Sequence, residues 1–299
     1  MKKKVLVTGG TGFLGFHLLK ELKNFNYSLY SLSKKKPKKI RKISGIKYIV
    51  CDVTNKTQLK KKLKYDFNYV INFSGYVDHS NKSKTTNSHY YGCKNLLNIF
   101  KNKNINHFIQ IGSSLEYGSV KSPHKEDSFC RPKENYGFAK FQATKYLKKI
   151  GKKFKISFTI LRLYQVYGPN QTNNRLIPIV INSCLKDKKF SCTSGKQIRD
   201  FLYVDDLIKL IIKIIKKKPR NKIYNVGAGN KLKVKKVIEL INKMTGSGEP
   251  LFGKIKMRKD EMNNNFPDIS KIKKEYNWKP NTNIRSGIRN TISFYEKKF

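Results

Sequence analysis

Acidic residues are scarce in this 299-residue chain: 19 Asp and Glu stand against 65 Lys and Arg, a formal net charge of +46. Arginine is scarce too, at nine of those 65. Such a balance suits nucleic acid, anionic membrane surfaces or phosphorylated small molecules. The lysines spread along the whole chain, however, and no run is interleaved with aromatics on a recognisable nucleic-acid module. They read as solvated helix faces, and no specific nucleic-acid partner is expected. The five cysteines, Cys51, Cys93, Cys130, Cys184 and Cys192, form no C-x-x-C pair. An odd set without that spacing excludes a disulfide framework and a zinc site, so no metal is expected and a reducing compartment fits. No run approaches the roughly 20 apolar residues of a membrane-spanning helix. The apolar stretch after Lys2–Lys4 is broken by glycines and by Lys20-Glu21. A cytoplasmic protein without membrane association is expected. Aromatics are plentiful, at 17 Tyr and 18 Phe, which separates the chain from disordered sequences.

Val5-Leu6-Val7 is a short apolar run suited to a strand buried on both faces. It leads into Gly9, Thr11, Gly12, Phe13, Leu14 and Gly15, after which Leu14, Leu18, Leu19 and Leu22 recur at helical spacing. Strand, glycine turn, helix is the context of a dinucleotide fingerprint. Gly9 allows the tight turn, Gly12 lets the backbone approach a pyrophosphate, and Gly15 lets helix pack on strand. The pyrophosphate would lie on N–H groups at the positive end of the helix dipole.

A second strand, Tyr27–Leu32, ends at Ser33 with Lys34-Lys35-Lys36 behind it. An acidic residue there would hold the ribose 2′-hydroxyl and repel a 2′-phosphate. A hydroxyl followed by ammonium groups argues for NADP over NAD, unless the lysines are merely surface. A third strand, Tyr48–Val50, leads to Asp52 and Val53, with Asp52 placed to accept from the adenine amino group. A fourth, Tyr69–Phe73, runs into Ser74-Gly75, where small residues beside Phe73 would admit the cofactor. The fifth, His107–Ile111, leads to Ser113 and Ser114. Downstream, Tyr136 and Lys140 stand at i and i+4 on one helix face. The ammonium and a cationic nicotinamide would favour the phenolate, making Tyr136 a usable proton shuttle. Ser113 would stabilise charge on the substrate oxygen as hydride moves.

These motifs resemble those of the extended short-chain dehydrogenases, the nucleotide-sugar epimerase/dehydratase family, from Val5 to about Phe294. Further likeness lies in Leu161–Pro169, in Gly195–Asp206, around Tyr224–Gly227, and in Asn277-Trp278-Lys279-Pro280. The resemblance implies a doubly wound α/β (Rossmann) fold with a smaller C-terminal substrate-binding lobe, a nicotinamide cofactor and a nucleotide-sugar substrate. It makes Tyr136 the acid/base, Lys140 its partner and ribose ligand, and Ser113 the third catalytic member. Ser114, Arg199 and Arg258 become substrate contacts, the arginines on the nucleotide diphosphate, unless Arg199 merely pairs with Asp200 or Asp205. A homodimer built on two helices flanking the sheet is also implied.

Three positions depart from the family pattern. His89 and Gln165 each replace a usual Asn; His89 then reads as a solvated or core histidine. Where the family's 4,6-dehydratases carry adjacent Asp and Glu after the catalytic hydroxyl, this chain has Ser114 and Leu115, with Glu116 one residue late. The expected organisation is a cofactor domain over 1–168 plus about 199–228, and a substrate lobe over 169–198 and 229–299. Asp205–Ile215 reads as a helix, Ile223–Val226 as a strand, Asn263–Asn265 as a loop and Gly246-Ser247-Gly248 as a turn. The leading functional expectation is an NADPH-dependent reductase of a nucleotide 4-keto-6-deoxysugar. A 4-epimerase with tightly bound NAD comes second. A non-catalytic dinucleotide sensor is third, disfavoured by the intact Ser113, Tyr136 and Lys140.

Overall fold

Strand β1 (Lys3–Thr8) forms around Val5, Leu6 and Val7, all fully buried, as a parallel strand covered on both faces requires. The computed structural model describes residues 2–76, 81–217, 222–258 and 261–297. In chain order the elements continue as α1 (Phe13–Leu22), β2 (Tyr27–Ser33), β3 (Lys47–Val50), α2 (Lys56–Lys62), β4 (Tyr69–Asn72), α3 (Lys82–Thr86), α4 (Gly92–Phe100), β5 (His107–Ser113), α5 (Asn135–Lys153) and β6 (Phe158–Leu163). Then follow β7 (Gln165–Tyr167), α6 (Leu176–Leu185), β8 (Lys189–Ser191), β9 (Ile198–Arg199), β10 (Phe201–Tyr203), α7 (Val204–Lys216) and β11 (Lys222–Val226). The last are β12 (Leu232–Lys233), α8 (Val234–Thr245), β13 (Glu249–Leu251), β14 (Asn264–Asn265), α9 (Ser270–Tyr276) and α10 (Ile284–Glu296).

Seven strands form one sheet in the order β11-β6-β5-β4-β1-β2-β3. The pairs β1–β2, β2–β3, β1–β4, β4–β5 and β5–β6 are all parallel. This is the expected doubly wound sheet. Strand order reverses around β1, and ligands of such sheets bind beyond the carboxyl ends at that point. Leu6, Leu32, Val70, Phe108 and Ile160 from the strands pack with Leu96 and Phe100 of α4 and Leu147 of α5 in one core.

The chain divides into two compact units. The first comprises Met1–Val120, Glu126–Leu163 and Ile208–Tyr224; the second comprises Lys121–Lys125, Tyr164–Leu207 and Asn225–Phe299. The boundaries expected from sequence differ: 121–125, 164–168, 199–207 and 225–228 all fall in the second unit. Strand pairing explains part of this, since β7 pairs with β10 and β9 with β12. The second unit has its own core, with Ile177, Val180 and Ile181 of α6, Val237 and Ile241 of α8, and Ile288 and Ile292 of α10. Trp278 donates to the Asp206 carbonyl at 3.1 Å, and the Asp206 carboxylate accepts from the amides of Asn281 and Thr282. The Trp-Lys-Pro segment is thereby fixed. Gly246 ends α8 in a left-handed turn, φ +72°. Asn263–Asn265, expected as a loop, includes a strand: Asn264 and Asn265 pair in parallel with Ile198 and Arg199. Local propensity disfavours Asn in strands, and only a partner distant in sequence overrides it.

Candidate active site

The glycine turn joins β1 to α1 in the first unit. Gly9 lies at φ +68°, and a Cβ there would also stand 2.9 Å from the Phe73 carbonyl. The Gly9 amide donates to Leu32 O at 2.7 Å, and that of Gly12 to Gly9 O at 2.9 Å. A Cβ on Gly15 would lie 2.4 Å from Gly9 O, so the first turn of α1 touches the strand end backbone to backbone. Thr11 stands within this turn, and Phe13 and Leu14 open α1.

At the end of β2, the buried Ser33 hydroxyl accepts from the Thr11 amide at 3.1 Å. Lys34, Lys35 and Lys36 are exposed, and Lys34 pairs with Asp52 at 3.0 Å. Asp52 was expected to meet adenine. Its other oxygen accepts from both the amide and the hydroxyl of Thr54, each at 2.9 Å, so the carboxylate also closes a turn at the strand end. Burial would raise its pKa, but the bonds from Thr54 and Lys34 outweigh that and hold it below the ordinary carboxylate value. Val53 is buried against Gly92, whose added Cβ would meet it at 2.7 Å, a packing role. Sequence reasoning missed Arg41, whose Nη1 donates to Thr11 O at 3.0 Å. Its signal was slight, one guanidinium in a lysine-rich segment.

The end of β4 carries a buried polar chain. Asn72 Oδ1 accepts from the Thr8 hydroxyl at 2.6 Å and the Ser74 amide at 3.1 Å. Its Nδ2 donates to Gln110 Oε1 at 2.8 Å, where the Cys93 thiol also donates at 3.1 Å. Burial pushes that thiol up to about 12, so Cys93 is inert. Gln110 Nε2 donates to Ile111 O at 2.9 Å, and the Lys140 ammonium donates to the same oxygen at 2.8 Å. Gly75 is small for a reason the sequence did not reveal: a Cβ there would stand 1.9 Å from the His89 ring. His89 is buried, not solvated, in a π-helical turn over Asn87–Tyr91. Its Nε2 lies 3.1 Å from Tyr76 O, and its ring meets Tyr136 edge-on at 4.9 Å between centroids.

At the end of β5, the Ser113 hydroxyl accepts from the Leu115 amide at 3.2 Å and the Ser113 amide donates to Glu116 Oε1 at 2.9 Å, a capping box. Ser114 is buried and opens the 3₁₀ turn Ser114–Glu116. Tyr136 is half-buried in the first turn of α5. The buried Lys140 holds its ammonium 5.8 Å from the Tyr136 ring centroid. The strand end and α5 thus bring Ser113 and the Lys140 ammonium to the carboxyl end of β5, with the Tyr136 ring one helical turn before Lys140. Glu116, fully buried, pairs with Arg162 at 3.0 Å.

Arg199 and Arg258 belong to the second unit. Arg199 is buried; its Nη1 donates to Ile198 O at 2.8 Å, and its Nη2 bonds Glu261 Oε1. The exposed Arg258 donates to Glu261 Oε2 at 3.1 Å. The partner of Arg199 is therefore Glu261, not Asp200 or Asp205. Asp200 instead accepts from the amides of Ala228 and Asn230, at 2.6 and 2.9 Å, and burial pushes it up to about 6. Lys259 and Asp260, beside Arg258, lie outside the described residues. Gln165 is exposed, and its amide donates to Asp200 O at 3.1 Å. Among the described residues no cluster of three or more His, Cys, Asp or Glu could hold a metal ion, and no helix is long and apolar enough to cross a membrane.

A parallel sheet with this glycine turn and a Tyr-Lys helix beside β5 defines a Rossmann-type, dinucleotide-dependent enzyme. The chain belongs to the NAD dependent epimerase/dehydratase family, whose model matches residues 5–227. It is 28% identical over 320 residues to human dTDP-D-glucose 4,6-dehydratase, covering 99% of this chain and 91% of that protein. It is 27% identical to CDP-abequose synthase of Salmonella muenchen, covering 99% of each. The fold matches UDP-glucose 4-epimerase of Thermotoga maritima, crystallised with UDP-glucose, at a TM-score of 0.93 and 22% identity, with 99% of each chain covered. It also matches UDP-glucuronic acid 4-epimerase of Bacillus cereus, in complex with UDP-glucuronic acid and NAD, at a TM-score of 0.89 and 24% identity, over 99% of this chain and 100% of that one. The chain is thus an NAD(P)-dependent enzyme of nucleotide-sugar modification.

Proposed function

We propose that this enzyme is an NADPH-dependent reductase of a nucleotide-linked 4-keto-6-deoxysugar. The observation that carries the reading is the segment after Ser113. Ser114 and Leu115 offer no carboxylate where the related dehydratases have an acid pair, and the carboxylate of Glu116 is committed to Arg162 and the Ser113 amide. Water elimination needs an acid and a base beside the sugar. Without them, hydride and proton transfer remain.

The residues present fit a dinucleotide. Gly9, Gly10 and Gly12 leave Thr11 as the one side chain in the turn between them, where a pyrophosphate would meet the N–H groups of α1. Ser33, Lys34 and Arg41 stand at the adenosine-ribose end and favour a 2′-phosphate. When bound, the cofactor supplies the hydride. Tyr136 gives its proton to the sugar oxygen as the carbonyl is reduced, and Lys140 favours the resulting phenolate. The Ser113 oxygen already accepts from Leu115, so its own O–H is left to donate to the sugar oxygen. In the second unit, Arg199 and Arg258 bind the diphosphate as planar forks, with Glu261 holding them in register.

One observation favours a second reading, a 4-epimerase that retains NAD: Asp52 partly neutralises Lys34. The deciding experiment mixes the purified protein with NADPH and dTDP-, CDP- or UDP-linked 4-keto-6-deoxyhexoses. Stoichiometric NADPH oxidation supports the reductase. NAD retained by the purified protein, with interconversion of 4-epimers and no net NADPH use, overturns it.

A further inference from the structure

Catalysis as proposed leaves one expensive feature unexplained: a carboxylate buried directly beside Ser113. The Glu116 side chain is wholly shielded from solvent. Its Oε1 accepts from the Ser113 amide at 2.9 Å. Its Oε2 accepts from Nε of Arg162, on β6, at 3.0 Å and from the hydroxyl of Thr144, on α5, at 2.9 Å. Thr144 lies four residues beyond Lys140, one turn along the same helix face. A single carboxylate therefore bonds the strand end that carries Ser113, the neighbouring strand, and the helix that carries Tyr136 and Lys140.

Independent packing evidence places these elements at closest approach. A Cβ on Gly137, the residue after Tyr136, would lie 2.3 Å from Leu115 O. A Cβ on Gly112 would lie 2.5 Å from Glu116 Oε1. The 3₁₀ turn and α5 thus meet with no room for a side chain between them. Arg162 is fixed in turn: its Nη2 donates to Cys130 Sγ at 3.0 Å and its guanidinium carbon lies 4.5 Å from the Tyr117 ring centroid. Burial would lower the Arg162 pKa, but Glu116, with Tyr117 and Cys130, raises it above the ordinary value, so the guanidinium keeps its charge. Burying an ion pair is a poor way to gain stability, since apolar residues of equal volume often do as well. A bonded polar network holds one geometry, even though Arg162 Nη1 is left without a hydrogen-bond partner among the described residues.

We propose that Glu116 is a positioning residue, which clamps Ser113 and the Tyr136–Lys140 helix to one carboxylate so that the serine hydroxyl and the phenol meet the same sugar oxygen. Glu116 itself touches neither substrate nor cofactor. The inference rests on the catalytic roles proposed above for Ser113 and Tyr136.

The test uses the full-length enzyme with NADPH and whichever of the dTDP-, CDP- and UDP-linked 4-keto-6-deoxyhexoses the wild type reduces, comparing Glu116→Gln, Thr144→Val, Thr144→Ser and Ser113→Ala. A misplacement of about 1 Å can cost about 100-fold, so Glu116→Gln is expected to lower kcat about 10- to 100-fold. NADPH affinity should stay within about twofold, because the glycine turn is untouched. The isotope effect with NADPH deuterated at the transferred position should rise as chemistry becomes limiting. Thr144→Val should lower kcat several-fold, and Thr144→Ser, which keeps the hydroxyl, should restore it. A purely structural role would change thermal stability and the folded fraction, leaving kcat per folded molecule and the isotope effect at wild-type values; that result overturns the proposal. If Glu116→Gln does not fold, the Thr144 pair decides, and wild-type kcat in folded Thr144→Val overturns it. Unchanged turnover in Ser113→Ala would instead overturn the assignment of Ser113, a wild type that reduces none of the three sugars would overturn the reductase reading, and the role of Glu116 as stated would fall with either.

Discussion

The carboxyl ends of β2 and β5 belong to one sheet and are built in opposite ways. At the end of β2, the lysines reach into solvent, and exposed Lys34 pairs with half-buried Asp52. At the end of β5, Ser113, Ser114, Glu116, Lys140 and Arg162 are all buried, with Ser113 and Arg162 bonded to Glu116 and Lys140 bonded to the Ile111 carbonyl. Exposed charges in high dielectric act weakly and are screened by salt, so they can favour one cofactor over another without fixing geometry. Buried, bonded groups do the reverse: they hold positions to a fraction of an ångström, and disturbing one leaves its partners unsatisfied. Choice of cofactor should accordingly be easy to change in this protein, and chemistry hard to preserve under mutation.

The largest effect should come at β5. Tyr136→Phe keeps the ring and its contact with His89 but removes the proton donor, and turnover should fall about 10²–10⁴-fold with NADPH affinity retained. Steady-state kinetics beside calorimetric cofactor titration checks this; near wild-type turnover would remove Tyr136 from the chemistry. Next comes Arg162→Met, which leaves Glu116 buried without its counter-charge. Urea unfolding should show a loss of about 3–5 kcal/mol, and a loss below about 1 kcal/mol would mean that the buried pair is far less demanding than its burial suggests.

Changes at the β2 end should be milder and selective. Arg41→Ala should weaken NADPH binding about 10-fold and leave NADH binding unchanged, the worth of one charge-assisted bond. Ser33→Asp should narrow or reverse the preference, by repelling a 2′-phosphate and offering a ribose acceptor. Equal wild-type affinities for NADPH and NADH would show that the basic strand end reads nothing.

An effect that is nil at neutral pH concerns the far end of β5. His107 is buried between the hydroxyls of Ser157 and Thr159, and burial pushes it down to about 3. The unfolded chain, with His near ~6.5, binds a proton there that the folded chain refuses. This contribution is complete above pH ~6.5 and is lost as pH falls toward the folded value, at up to about 1.4 kcal/mol per pH unit. Replacing His107 with Gln should flatten stability against pH across that window. An unchanged slope in urea titrations from pH 7 to 4 would show that other groups dominate.

Much of the first unit was legible because its signals are local. Three apolar residues mark β1, the glycines mark the turn after it, and Tyr136 and Lys140 share a face through helical periodicity alone. The same rules did not reveal which protein partners a polar side chain takes. Asp52, expected as an adenine ligand, also closes a turn with Thr54 and Lys34. Arg199 had two acidic neighbours in sequence and bonds Glu261. Arg41 looked like one more surface cation and reaches the glycine turn. Gly75 looked like room for a cofactor and makes room for His89.

By itself, then, the sequence determined the sheet, the glycine turn and the Tyr-Lys helix face, because backbone sterics and hydrophobic periodicity act between residues a few positions apart. Only the tertiary structure decided which charges are buried and with whom: Glu116 with Arg162, Ser113 and Thr144, and Asn72 with Gln110. The physical reason is that a polar side chain costs little in water wherever it stands. Its partner becomes obligatory only after packing has removed the water, and packing joins segments whose separation along the chain leaves no periodic mark.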